Sequence, residues 1–154
     1  MTEAATSPKQ VMLTHGTEAE QAFFERWNAA VHAVDVAGLT AMLADGVVFE
    51  SPAVYRPYKG KAMVGFILGM VAKNLPDLHY INAFSNGAGD LVLHFKASVL
   101  EGGTKSLSLD GVDIIELNDQ GQVAKLTVMI RPLRCLGAVA ANMKASFAAA
   151  KPSA

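Results

Sequence analysis

The sequence predicts an α+β fold: a curled, mostly antiparallel sheet with N-terminal helices packed on its concave face, plus a C-terminal helix. Three observations predict it. Two helix patterns come first, each with its own N-terminal cap. A short apolar run, "VVFE", then leads into a third helix pattern. Four strand-like runs follow one after another, separated by "NGAGD", "EGGT" and "NDQG", which are hairpin turns by composition. Helices gathered ahead of strands, rather than alternating with them, argue for an antiparallel sheet covered on one face.

Taken in order, residues 1–16 carry no periodic pattern and read as a flexible arm. "TEAE" at Thr17–Glu20 is a capping box, in which the Thr17 side chain and Glu20 satisfy each other's free backbone N–H groups. Phe23, Trp27, Ala30 and Val34 recur at helical spacing behind it, so the first helix runs from about Glu18 to Val34. Asp35 caps a second helix with Val36, Leu39, Met42 and Leu43 on its apolar face. After Gly60, residues Met63, Phe66, Ile67, Met70 and Val71 give a third helix, stopped by "NLP" at Asn74–Pro76. The strand runs are "LHYINAF", "DLVLHFKASVL", "KSLSLDGVDIIEL" and "QVAKLTVMIRP". Pro132 fits the first turn of a last helix striped by Leu136, Val139, Ala140, Met143 and Phe147. A chain of 154 residues fits one domain, taken as 17–148, with 149–154 as a tail.

Bulk composition narrows the function. Hydrophobic residues are 51% and charged ones 18%, which suits an apolar cavity, a buried oligomer face, or both. The net charge is −1 and no Lys/Arg run occurs, so nucleic acid is not an expected partner. No apolar run reaches membrane-spanning length and no signal-peptide layout opens the chain. Cys135 is the sole cysteine, which fits a reducing cytoplasm and excludes an intrachain disulfide. With no His-x-His pattern or paired cysteines, no metal or other cofactor is expected.

Three segments together resemble the nuclear-transport-factor-2-like superfamily of ketosteroid isomerases and SnoaL-like polyketide cyclases. They are "RWNAAVHAVDVAGLTAMLADGVVFESP", "YKGKAMVGFI" and "GVDIIELNDQGQVAKLTVMIRPL". The resemblance implies a cone-shaped fold, an apolar pocket for a hydrophobic carbonyl-containing small molecule, and chemistry without a cofactor. It also implies site positions. Where ketosteroid isomerases keep a tyrosine on the first helix, this chain has Trp27; where they keep the general-base aspartate, it has Ser51; a second aspartate is retained as Asp113. Ser51 cannot accept the proton that steroid isomerisation moves, so that activity is not expected.

The residues themselves support a site around Asp113. Strand side chains alternate, so Leu109, Asp113, Ile115 and Leu117 share one face and Asp110, Val112, Ile114 and Glu116 the other. If the first face lines the cone, Asp113 sits among apolar side chains and burial raises its pKa, making it the candidate acid. The plainer alternative is a solvated aspartate near the strand entry. His79 shares a strand face with Ile81 and Ala83, which makes it either the catalytic partner or a partly buried, satisfied histidine. Tyr55 and Tyr58 border the expected mouth, as ligand contacts or as packing on the third helix. The outer strand face mixes Val112, Ile114, Thr127 and Met129 with Lys96, Lys125 and Arg131, which suits a homodimer. Four functions are weighed: an isomerase or cyclase, a non-catalytic small-molecule binder, a related epoxide hydrolase, which needs two carboxylates with an arginine between them where only Asp113 is well placed, and a dimeric scaffold of the same fold.

Overall fold

The capping box opens the first helix as expected. In a computed structural model that describes residues 10–150, Thr17 Oγ1 accepts from Glu20 N at 3.1 Å and Glu20 Oε1 accepts from Thr17 N at 2.9 Å. The elements are β1 (Leu13–Thr14), α1 (Glu18–His32), α2 (Val36–Ala41), β2 (Leu43–Glu50), β3 (Tyr58–Lys59), α3 (Lys61–Asn74), β4 (His79–Ser85), β5 (Asp90–Glu101), β6 (Lys105–Leu117), β7 (Val123–Arg131) and α4 (Leu133–Ala150). Asp35 caps α2 through Gly38 N, also as its position predicts.

Seven strands form one open sheet in the order β1-β4-β5-β6-β7-β2-β3. The four long strands from β4 to β7 pair antiparallel through consecutive hairpins, while β1 on β4 and β2 on β7 pair parallel. Helices cover one face. Phe23, Phe24 and Trp27 of α1 are almost fully buried there, each contributing about 1.5–3 kcal/mol by leaving water. No helix among the described residues is long and apolar enough to cross a membrane.

Four details differ from the sequence reading. Residues 1–9 of the expected arm lie outside the described residues, but its end is pinned: Leu13 is buried, pairs with Ala83, and donates its N–H to Gln21 Oε1 at 3.0 Å. The expected tail is helical at its start, since α4 runs to Ala150; residues 151–154 lie outside the described residues. The short strand at "VVFE" begins earlier, at Leu43, and a two-residue partner, β3, lies in what reads as loop. On α3 the inward stripe is Val64, Ile67, Leu68 and Val71, while Met63 and Phe66 are each 44% exposed. That helix is apolar on nearly every side, so spacing alone selects no unique face.

Gly111 in β6 has a packing role. A Cβ there would collide with the Met129 carbonyl and stand 2.6 Å from Phe95 Cζ. Its bare backbone leaves room for the Phe95 ring beside it, in the row Tyr80–Phe95–Gly111–Ile130.

Candidate functional site

Between the concave sheet face and the helices lies a cavity of about 450 Å³. Its walls come from α1, α3 and α4, its floor from the long strands, and nearly all of its lining is apolar. Polar atoms converge at one place on the floor. Trp27 Nε1 donates to Tyr80 Oη at 2.9 Å, and Tyr80 Oη donates to Asp113 Oδ2 at 2.6 Å. All three side chains are buried and all three line the cavity.

Each member is placed by its element. Trp27 follows Phe23 by one helical turn and stacks on it, with ring centroids 5.7 Å apart. Asp113 faces inward with Leu109 and Ile115, as strand alternation requires. Tyr80 pairs with Phe95 across β4 and β5, one row away from the Leu93–Asp113 pair, so its phenol reaches diagonally over β5. Burial pushes the Asp113 carboxyl up to about 6, against the hydrogen bond from Tyr80, which pulls it down. Burial, followed by the neighbouring carboxylate, pushes the Tyr80 phenol well above its ordinary range. Tyr80 therefore remains a neutral donor. Oδ1 of Asp113 takes no hydrogen bond from the described residues.

A family model described as a SnoaL-like domain matches residues 22–126. The chain belongs to the SnoaL-like family. Among solved structures, a steroid delta-isomerase from Pseudomonas aeruginosa is 30% identical, with a TM-score of 0.78 over 86% of this chain and 94% of that one. An uncharacterised bacterial protein with a cystatin-like fold, from Silicibacter pomeroyi, is 26% identical, with a TM-score of 0.77 over 86% and 90% of the two chains. A protein from Jannaschia, named for SnoaL-like polyketide cyclases, is 14% identical over 90% and 99%, and its TM-score of 0.65 shows the shared fold alone. The comparison with curated proteins found no match.

Within this SnoaL-like chain the expected site residues divide. Trp27, Ser51, Tyr58 and Asp113 line the cavity. Ser51 sits at its edge, and its Oγ accepts from Ala53 N at 3.1 Å, so the hydroxyl holds a turn. Glu50 beside it points away and pairs with Lys125 at 2.6 Å. Tyr58 stacks on Phe147 of α4 at 6.4 Å. Tyr55 does not line the cavity: it is fully exposed, because no neighbouring element covers its loop position.

His79 is also outside. It is exposed, with Nδ1 2.9 Å from the Asp77 carbonyl oxygen. The reason is a register shift in β4 between Tyr80 and Asn82, where Ile81 is the extra residue. Tyr80 and Ala83 point in on either side of this bulge, which breaks the alternation that placed His79 with Ala83. Tyr80 is the polar cavity residue that the sequence reading missed. Its signal was present: a tyrosine inside an apolar strand needs a partner for its hydroxyl when buried.

Proposed function

We propose that this SnoaL-like chain is a cofactor-free acid–base enzyme of the isomerase or cyclase type, acting on a hydrophobic carbonyl-containing small molecule. The observation that carries this reading is the single buried carboxylate at the floor of an apolar cavity, held by the Trp27–Tyr80 donor chain. Tyr80 donates to Oδ2, so Asp113 rests as an acceptor. With a pKa of about 6 it is mainly ionised at neutral pH, suited to act first as base and then, once protonated, as acid. Oδ1 takes a proton from the carbon next to the substrate carbonyl. The same carboxyl returns it at a second position, which completes an isomerisation or follows ring closure. Trp27 and Tyr80 position the carboxylate throughout. His79, facing solvent, takes no part.

Exchange of α-protons of apolar ketones in deuterated water tests this reading by NMR. Wild-type exchange is expected to rise as Asp113 ionises near pH 6. Tyr80→Phe removes the bond that holds the Asp113 pKa down. Its pH profile is therefore expected to shift upward, with slower exchange at pH 6. An unshifted profile would remove Tyr80 from the mechanism. Saturable ketone binding without exchange would instead favour a binding protein, a reading supported by Asp113 being the lone carboxyl among the described residues of the cavity lining.

We further propose that the protein acts as a homodimer through the outer sheet face. Val92, Ile114 and Thr127 form one row there, and His94, Val112 and Met129 the next. Charged rows flank them: Lys96–Asp110–Arg131 on one side and Asp90–Glu116–Lys125 on the other. Val92 and Met129 are exposed in the single chain. Apolar rows bounded by both signs of charge are self-complementary about a two-fold axis. Light scattering at micromolar concentration is expected to give a dimer, and Ile114→Asp a folded monomer. A wild-type monomer would refute the dimer.

A further inference from the structure

Lys144 is left unused by the acid–base reading. Among the described residues that line the cavity, Asp113 and Lys144 alone carry a charge, and their settings are opposite. Asp113 is buried on the floor, whereas Lys144 is exposed on α4. Ala140, Met143, Lys144 and Phe147 all line the cavity, and their spacing is that of one helical stripe. Lys144 therefore stands on the inward stripe at the open side. Among the described residues no carboxylate forms an ion pair with it, while Lys125, Arg131 and Arg134 each have one. A lysine so placed can lay its alkyl stem on the apolar wall and keep its ammonium in water.

Resting on the reading of this cavity as a ligand site, we propose that it takes amphipathic anions. These are molecules with an apolar body and one carboxylate or comparable oxyanion, bound with the anion at Lys144 and the apolar end toward Asp113. The reverse orientation would bring a second negative charge to Asp113 inside an apolar enclosure, where repulsion is far stronger than in water. The two charges thus fix the direction of entry. Lys144 also favours an anion over a neutral molecule of the same shape. The reacting carbonyl lies at the end of the ligand remote from the anion.

Two fluorescent dyes with the same aromatic body separate these claims: anilinonaphthalenesulfonate, an anion, and uncharged N-phenylnaphthylamine. Both are expected to bind wild type and to compete with each other. Lys144→Gln is expected to weaken the anionic dye roughly two- to fivefold, the size of an exposed ion pair, and to leave the neutral dye unchanged. Added salt should weaken the anionic dye more in wild type than in the variant. If the variant leaves both dyes unchanged, or weakens both equally, the anion proposal is overturned while the cavity stands as a ligand site. If wild type binds neither dye, both readings fall.

Discussion

Asp113→Asn is expected to abolish α-proton exchange while leaving the protein at least as stable at pH 7. Loss of a general base typically removes about 10²–10⁴-fold in rate. The stability effect follows from linkage. Folding raises the Asp113 pKa from 3.8 to about 6, so the folded state holds the proton more tightly than the unfolded one. This contribution is fully present below the unfolded value and is lost as pH rises through the folded value. Across that window wild type forfeits about 3 kcal/mol. Asparagine does not titrate, and its carbonyl still accepts from Tyr80. Its amide adds a donor that the carboxylate lacked, and leaving that donor unpaired offsets the gain by about 1–3 kcal/mol. Urea unfolding at several pH values between 4 and 7 reads the result directly. The variant's stability relative to wild type should climb through that range. A variant clearly less stable at pH 7, with no climb, would mean that Asp113 is an ionised structural group.

Glu20→Ala is expected to cost about 2–4 kcal/mol, because it removes charge-assisted bonds from three residues, Thr17, Ser85 and Gly89. Besides closing the capping box, the Glu20 carboxylate accepts from Ser85 Oγ at 2.8 Å and from Gly89 N at 2.7 Å. It thereby ties the start of α1 to the turn between β4 and β5, on the side of the sheet where Leu13 docks. Burial pushes its carboxyl up, but the bonds from Thr17, Ser85 and Gly89 outweigh burial and hold it below the usual range. The sign is therefore opposite to that of Asp113. This stabilisation is present above the unfolded pKa and is lost as pH falls through the folded value. Glu20→Gln keeps an acceptor and should lose less than Glu20→Ala. Urea midpoints and hydrogen exchange at the Gly89 amide report the effect, and a loss below about 0.5 kcal/mol in Glu20→Ala would show the carboxylate to be replaceable by water.

Most of the architecture was legible because local chemistry and global fold agree. Thr17 and Glu20 announce α1, the glycine-rich turns announce the hairpins, and strict alternation in β6 is enough to place Asp113 inward. The site was half legible for a physical reason. Alternation is a two-residue rule, and one bulge residue, Ile81, resets it. The strand therefore presents Tyr80 inward while His79 stays in solvent. Likewise α3 has apolar residues on most of its circumference, so period alone could not tell Val64 and Leu68 from Met63 and Phe66. β3 is two residues long, and its pairing is decided by β2 rather than by its own sequence.

Gly111 bears on how such a protein can change over evolutionary time. Any side chain at this position meets the Met129 backbone carbonyl, which belongs to the β6–β7 ladder and cannot swing aside as a side chain can. The floor beneath Phe95 is thus closed to remodelling from position 111. A change in cavity size has to come from the helical walls, where Leu68, Val71, Ala140 and Met143 line the cavity as side chains. Side chains on these helical walls can therefore change while the Trp27–Tyr80–Asp113 chain stays in register, because α1, β4 and β6, which hold that chain, are separate from α3 and α4, which carry those wall residues.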